Sequence, residues 1–228
     1  MEDQSQSALS PAPADMPLDD LSMLTALDLS ALLCSRVCHD LINPVGAIGS
    51  GLSMLDDTDS DADMREMADN LVREGTGKAL ALLSFARLAY GAAGGYGVQI
   101  KTEDAEEVLV TLFDTTKARL HWQVPVGIAD KNRIKVLLIL TAAASECVPR
   151  GGDVTVTQTQ SGYHLTITGA RLFLNDDFVR ALSGDGNEIK PKYTPAYLAS
   201  LLAREQGGTV TAQRGDEDII MEAHFDEA

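Results

Sequence analysis

The chain reads as an α+β protein: an N-terminal helical hairpin that forms a four-helix bundle on dimerisation, followed by an α/β sandwich with a mixed sheet. Three observations predict this. Two apolar seams at heptad spacing occupy the first part of the chain, separated by one polar break. Beyond a glycine-rich stretch the period changes, and short alternating segments appear among helical ones. Those strands do not alternate strictly with helices, which disfavours a doubly wound parallel sheet.

The first seam is Leu24, Leu27, Ala31, Cys34, Cys38, Leu41, Val45, Ile48, Leu52 and Leu55. Steps of three and four residues place these side chains along one face of a single helix. The polar run Asp56 to Asp63, DDTDSDAD, breaks the pattern with turn residues. Its acids stand where a second helix begins, at the positive end of that helix's dipole. The second seam is Met64, Ala68, Leu71, Gly75, Ala79, Leu82, Ala86 and Ala89, closed by the glycines from Gly91 to Gly97. A lone hairpin buries too little surface to stand by itself. Two hairpins packed together make a four-helix bundle, so a homodimer is expected. The alternative is that the hairpin packs on the rest of its own chain.

From Lys101 onward the pattern predicts a helix over Asp104–Thr116, a strand over Arg119–Val124 and an apolar helix over Lys131–Cys147, closed by Pro149 and Gly151. Alternating strands follow over Asp153–Gln158 and Tyr163–Thr168, joined at Ser161-Gly162. Helical segments over Asn175–Leu182 and Thr194–Gln206 come next, the latter ended by Gly207-Gly208. Strands over Thr209–Arg214 and Asp218–Phe225 finish the chain. The organisation expected is a disordered acidic tail over 1–20, the hairpin over 21–93 and the α/β domain over 98–228.

A length of 228 residues fits one large domain or two small ones, and a hydrophobic fraction of 45% supports a real core. The net charge of −16, from 34 acidic and 18 basic residues, disfavours nucleic acid and anionic membranes as partners, because both select a cationic face. Three cysteines without a CxxC pair suggest neither a disulfide framework nor a zinc site. No apolar run approaches the ~20 residues of a membrane span. The N-terminal segment lacks the basic and apolar parts of a signal peptide. A cytoplasmic protein that binds no metal of its own is expected.

Of the four histidines, His121, His164 and His224 fall in predicted strands among apolar neighbours and read as ordinary surface or packing residues. His39 is placed differently. It follows the seam residue Cys38, which turns it about 100° off the seam to the edge of the bundle. Ser35 and Asn43 lie one turn to either side, with Gly46 and Ser50 beyond. Gly46, Gly49 and Gly51 each weaken a helix by about 1 kcal/mol relative to alanine. Pro44 removes a helical hydrogen bond and crowds the carbonyl of Asp40. From the residues alone, a functional histidine and an ordinary one both stand.

The chemistry of the functional reading is simple. Neutral imidazole is a nucleophile near pH 7. Asp40 can accept a hydrogen bond from one ring nitrogen and fix the tautomer, and Asn43 can orient a water or a phosphoryl oxygen. Arg36 could add positive charge, although a surface arginine is the simpler reading. Phosphoryl transfer asks chiefly for in-line positioning and charge compensation, which such a set can supply.

The run CHDLINPVGAIGSGLSML, Cys38 to Leu55, resembles the histidine-bearing box of two-component histidine kinases. Its HD-x-x-x-P-x-x-A-I-x-x-G pattern is most similar to the ChpT family of histidine phosphotransferases in alphaproteobacterial phosphorelays. The similarity extends over most of the chain, including the turns PRGGDVTV and REQGGTVTA. It implies a dimeric bundle flanked by degenerate, Bergerat-type kinase ATPase domains. It also implies that His39 accepts phosphate from the receiver domain of a hybrid histidine kinase and passes it to response regulators. Asp40 matches the acidic residue that follows the kinase histidine, and Asn43 the Thr/Asn four residues after it. Ser35, Arg36 and Gly46 are the expected partner-facing residues. Magnesium is expected in the partner's receiver domain.

Asp130-Lys131-Asn132-Arg133 resembles the lead-in to the kinase helix whose asparagines hold magnesium and nucleotide. In that register the asparagines are replaced by Leu140 and Ala144. The adenine-binding aspartate is missing at Gly169, Ala170 and Arg171. The phosphate-cradling loop is replaced by Tyr193, Thr194 and Pro195, and a proline has no amide to offer. No ATP binding is expected. Two other readings stand beside the phosphorelay intermediate: an autophosphorylating kinase with divergent boxes, and a non-catalytic scaffold that docks receivers.

Overall fold

Thr25 and Asp61 open two long helices. In the computed structural model, which describes residues 24–91 and 99–226, α1 spans Ala26–Asp56 and α2 spans Ala62–Ala89. The expected tail and most of the glycine-rich stretch lie outside the described residues. Thr25 Oγ1 accepts from the Asp28 amide at 3.1 Å, and Asp61 Oδ1 from the Met64 amide at 2.9 Å. Each satisfies a donor that the first helical turn leaves free. The polar run separates the two helices as expected, and its Asp61 also caps the second.

The helices approach closely because glycine stands at two contact points. A Cβ on Gly51 would lie 2.8 Å from the carbonyl oxygen of Ala68 and 2.8 Å from Val72 Cγ2. A Cβ on Gly75 would lie 2.7 Å from the carbonyl oxygen of Pro44. Pro44 stays inside α1 and is buried against α2. The heptad seam of α1 is therefore not one packing surface. Ile48 faces Gly75, whereas Leu27, Val45, Leu52 and both Cys34 and Cys38 are exposed on the described chain. Met64, Met67, Leu80 and Leu83 are the exposed large apolar residues on α2.

The rest of the chain is a layer of helices on a sheet. After β1 (Gln99–Lys101) come α3 (Thr102–Phe113), β2 (Ala118–Gln123), β3 (Ile128–Asp130) and α4 (Lys131–Glu146). Then follow β4 (Gly152–Gln158), β5 (Gly162–Thr168), α5 (Asp176–Leu182), α6 (Thr194–Arg204), β6 (Thr209–Arg214) and β7 (Asp218–His224). The main sheet has the order β2-β4-β5-β7-β6, with β2 and β4 parallel and the other neighbours antiparallel. It is the mixed sheet expected. Val154, Val156, Leu165, Ile167, Ile219 and Met221 alternate along their strands and are buried together on one face, where α4 and α6 cover them.

The small pair β1–β3 was not anticipated. Helix α3 also ends earlier than predicted, at Phe113, where the Thr115 and Thr116 amides turn back to the carbonyls of Leu112 and Phe113. The hairpin seats on this layer through contacts of α2 with α3 and α4, and of α1 with α6. Among the described residues no helix is long and apolar enough to cross a membrane.

Candidate functional site

His39 stands on the side of α1 that neither α2 nor the α/β layer covers, with 78% of its side chain exposed. Ser35 and Asn43 are exposed on the same side, and a Cβ built on Gly46 would meet nothing within 4 Å. The small-residue stripe is real here. Gly51 does not belong to it, because its lack of a side chain serves the contact with α2.

Asp40, one residue on, is turned toward the α/β layer. Its Oδ1 is 3.4 Å from His39 Nδ1, a long contact, while its Oδ2 accepts from Arg36 Nε at 2.6 Å. Arg36 was expected among the partner-facing residues. In the structure its side chain is 17% exposed and is held by three acceptors. Nη2 donates to Glu146 Oε1 at 2.9 Å and Nη1 to the carbonyl of Lys192 at 3.1 Å. The reason is geometric. Arg36 lies about 60° further round the helix than His39, toward α4, where a carboxylate and a carbonyl are already placed. Lys192 Nζ closes the network on Glu146 Oε2 at 3.3 Å. Burial works against the charge of Arg36, but the carboxylates of Glu146 and Asp40 outweigh it and hold the guanidinium above its usual pKa. Tyr90, packed on the same network, is pushed well above the ordinary phenol value by burial.

A groove of about 330 Å³ runs between the hairpin and the α/β layer, directly beside His39. His39, Asp40 and Asn43 form one rim, and Phe85, Ile139 and Phe178 belong to its apolar lining. Phe173, half exposed, stands on the other side. Nothing in the local sequence signalled Phe173, Glu146 or Lys192 as neighbours of His39, since each comes from a distant element. Burial in the groove wall pushes the Cys147 thiol up to about 12.

The positions expected to lack nucleotide ligands have other occupations. Leu140 and Ala144 are wholly buried in the apolar core. Asp130 caps α4 by accepting from the amides of Asn132 and Arg133 at 2.7 and 3.3 Å. Pro195 sits in the first turn of α6, where no amide hydrogen is required. The other histidines lie on strands: His121 pairs with Asp153 at 2.7 Å and His164 with Glu222 at 3.0 Å. Among the described residues no three His, Cys, Asp or Glu side chains are grouped to hold a metal.

A helical hairpin that presents an open histidine beside a mixed-sheet layer has the shape of a phosphate-transferring protein, and known proteins agree. Residues 102–218 match the family model described as histidine phosphotransferase C-terminal domain. The chain belongs to the histidine phosphotransferase family and is a protein phosphotransferase. It is 37% identical over 211 residues to the protein phosphotransferase ChpT of Brucella abortus (strain 2308), covering 88% of this chain and 97% of that protein. A solved structure of a bacterial phosphotransferase superposes with a TM-score of 0.80 at 37% identity, covering 90% of this chain and 99% of that one.

Proposed function

We propose that His39 is the phosphate-carrying residue of a phosphorelay, loaded by the receiver domain of a hybrid histidine kinase and unloaded by response regulators. The observation that carries this is the exposure of His39, with Asp40 at its Nδ1 and no side chain at Gly46 to obstruct approach. His39 Nε2 attacks phosphorus on the receiver's aspartyl phosphate. The N–P bond forms as the P–O bond breaks, and the electron pair leaves with the receiver's carboxylate. The reverse step delivers phosphate to the next receiver. Asp40 faces Nδ1, which favours the tautomer that leaves Nε2 unprotonated. Asn43 is placed to orient a phosphoryl oxygen or a water. Magnesium belongs to the receiver.

The exposed apolar line on the hairpin supports a homodimer in which Leu27, Val45, Leu52 and Leu83 meet a second copy. The receiver then docks beside that seam, around Ser35, Asn43 and Gly46. Leu140 and Ala144 in the core support a protein that does not make phosphohistidine from ATP. Cys34 and Cys38, both free and exposed, suit the reducing cytoplasm.

The test mixes the protein with a phosphorylated receiver domain and follows the label. Wild type should take it up and His39→Ala should not, with fold and dimer unchanged. Wild-type labelling in the mutant would remove the assignment. Micromolar affinity for magnesium-ATP in calorimetry would favour the kinase reading instead.

A further inference from the structure

We infer that Glu146, on the far side of the groove, is a positioning residue for the chemistry at His39, acting through Arg36 and Asp40. The inference rests on the reading of His39 as the phosphate carrier. Three contacts in series carry it: Glu146 Oε1 to Arg36 Nη2 at 2.9 Å, Arg36 Nε to Asp40 Oδ2 at 2.6 Å, and Asp40 Oδ1 to His39 Nδ1 at 3.4 Å.

Arg36 alone could not fix Asp40. An arginine with one carboxylate partner settles into a two-pronged pair, which would draw both Asp40 oxygens to the guanidinium. Here the Nη2 prong is taken by Glu146 and Nη1 by the carbonyl of Lys192. Nε is the nitrogen turned to Asp40, and it engages one oxygen. The other oxygen stays turned toward the imidazole. Lys192 Nζ in turn holds Glu146 Oε2, so Glu146 is fixed as well.

The consequence is electronic. A neutral imidazole carries its proton on Nδ1 or on Nε2, and only the Nδ1–H form has a free electron pair on Nε2. An Asp40 oxygen held in front of Nδ1 favours that form and faces the ring as it gains positive charge on phosphorylation. Releasing Glu146 lets Arg36 take both oxygens, and the bias on the ring is lost. The α/β layer thus acts on the reacting nitrogen across 110 residues of sequence without touching it.

The test is nitrogen-15 spectroscopy of His39 in the full-length protein without partner, alongside transfer kinetics from a phosphorylated receiver domain. In wild type the Nδ1–H tautomer should predominate. Glu146→Gln should raise the Nε2–H fraction and lower the maximal transfer rate by about tenfold, short of the hundredfold that a 1 Å misplacement can produce. The KM for the receiver should be unchanged. Arg36→Lys, which keeps the charge but removes the fork, should move the tautomer the same way, so the idea does not hang on one variant's folding. An unchanged tautomer ratio in both variants would overturn the proposal, as would a raised KM at an unchanged maximal rate, which is the mark of a docking residue. The spectrum reads the ring without any phosphate. A failure of His39 as carrier, seen as persistent label in His39→Ala, is therefore separate from a failure of this inference.

Discussion

Gly75 on α2 lies so close to Pro44 on α1 that a Cβ there would stand 2.7 Å from the proline's carbonyl oxygen and 2.9 Å from Ile48 Cγ1. The contact sits one residue beyond Asn43 and holds the middle of α1 against its partner helix. Gly75→Ala would gain about 1 kcal/mol of helix propensity but must push the two backbones apart, an overpacking that typically costs about 1–3 kcal/mol. A net loss of stability is expected in urea denaturation. Gly49→Ala, whose Cβ meets nothing within 4 Å, should instead stabilise by about 0.5–1 kcal/mol. A more stable Gly75→Ala would show that the helices are not in such close contact.

The exposed apolar line predicts the behaviour of the second copy. Leu52→Asp and Val45→Asp should each give a monomer in light scattering, since an unpaired carboxylate buried in the interface costs several kcal/mol. A wild-type monomer at tens of micromolar, a concentration of about the order such interfaces need, would contradict the dimer.

Gly46 tests where the receiver sits. Gly46→Leu adds a bulky side chain into open space beside His39 and improves helix propensity, so the melting temperature should hold or rise. Transfer from the receiver should fall at least tenfold, because the reacting atoms must come within about 3–3.5 Å. Unchanged transfer at unchanged stability would place the docking surface elsewhere.

Asp153 gives a pH prediction. Hydrogen bonds from Arg119, at 2.9 and 2.8 Å, and then from His121, at 2.7 Å, hold its carboxyl well below the usual carboxylate range. A depressed folded-state value means that its stabilisation is present above the unfolded pKa of about 3.9 and is lost as pH falls toward the folded value. Asp153→Asn should therefore flatten the acid limb of the stability profile below about pH 4. An identical acid limb in the variant would show the clamp to be inconsequential.

Much of this was legible in the residues, for reasons that also explain what was not. Period and caps mark α1, α2, α4 and the long strands, because one buried face imposes a repeat on each. The three-residue strands β1 and β3 are too short to show any alternation. The seam of α1 was read as a single surface because heptad spacing cannot say which apolar residue meets α2 and which faces outward. Ile48 and Val45 are both seam residues, and only the close approach at Gly75 separates their roles. At the site, His39, Asp40 and Asn43 follow from one helical stretch. Arg36 does not, since its inward turn depends on Glu146 and Lys192, which the chain brings there from α4 and from the turn before α6.

The central claim is that one imidazole carries the phosphate. The most direct measurement loads the protein from a phosphorylated receiver domain and locates the phosphate by peptide mass spectrometry, with phosphorus NMR to assign the nitrogen. The account predicts acid-labile phosphate on the peptide holding His39, attached through Nε2, and none on the peptides holding His121, His164 or His224. Phosphate on any of those three, or an acid-stable phosphoester on a hydroxyl residue, would contradict it.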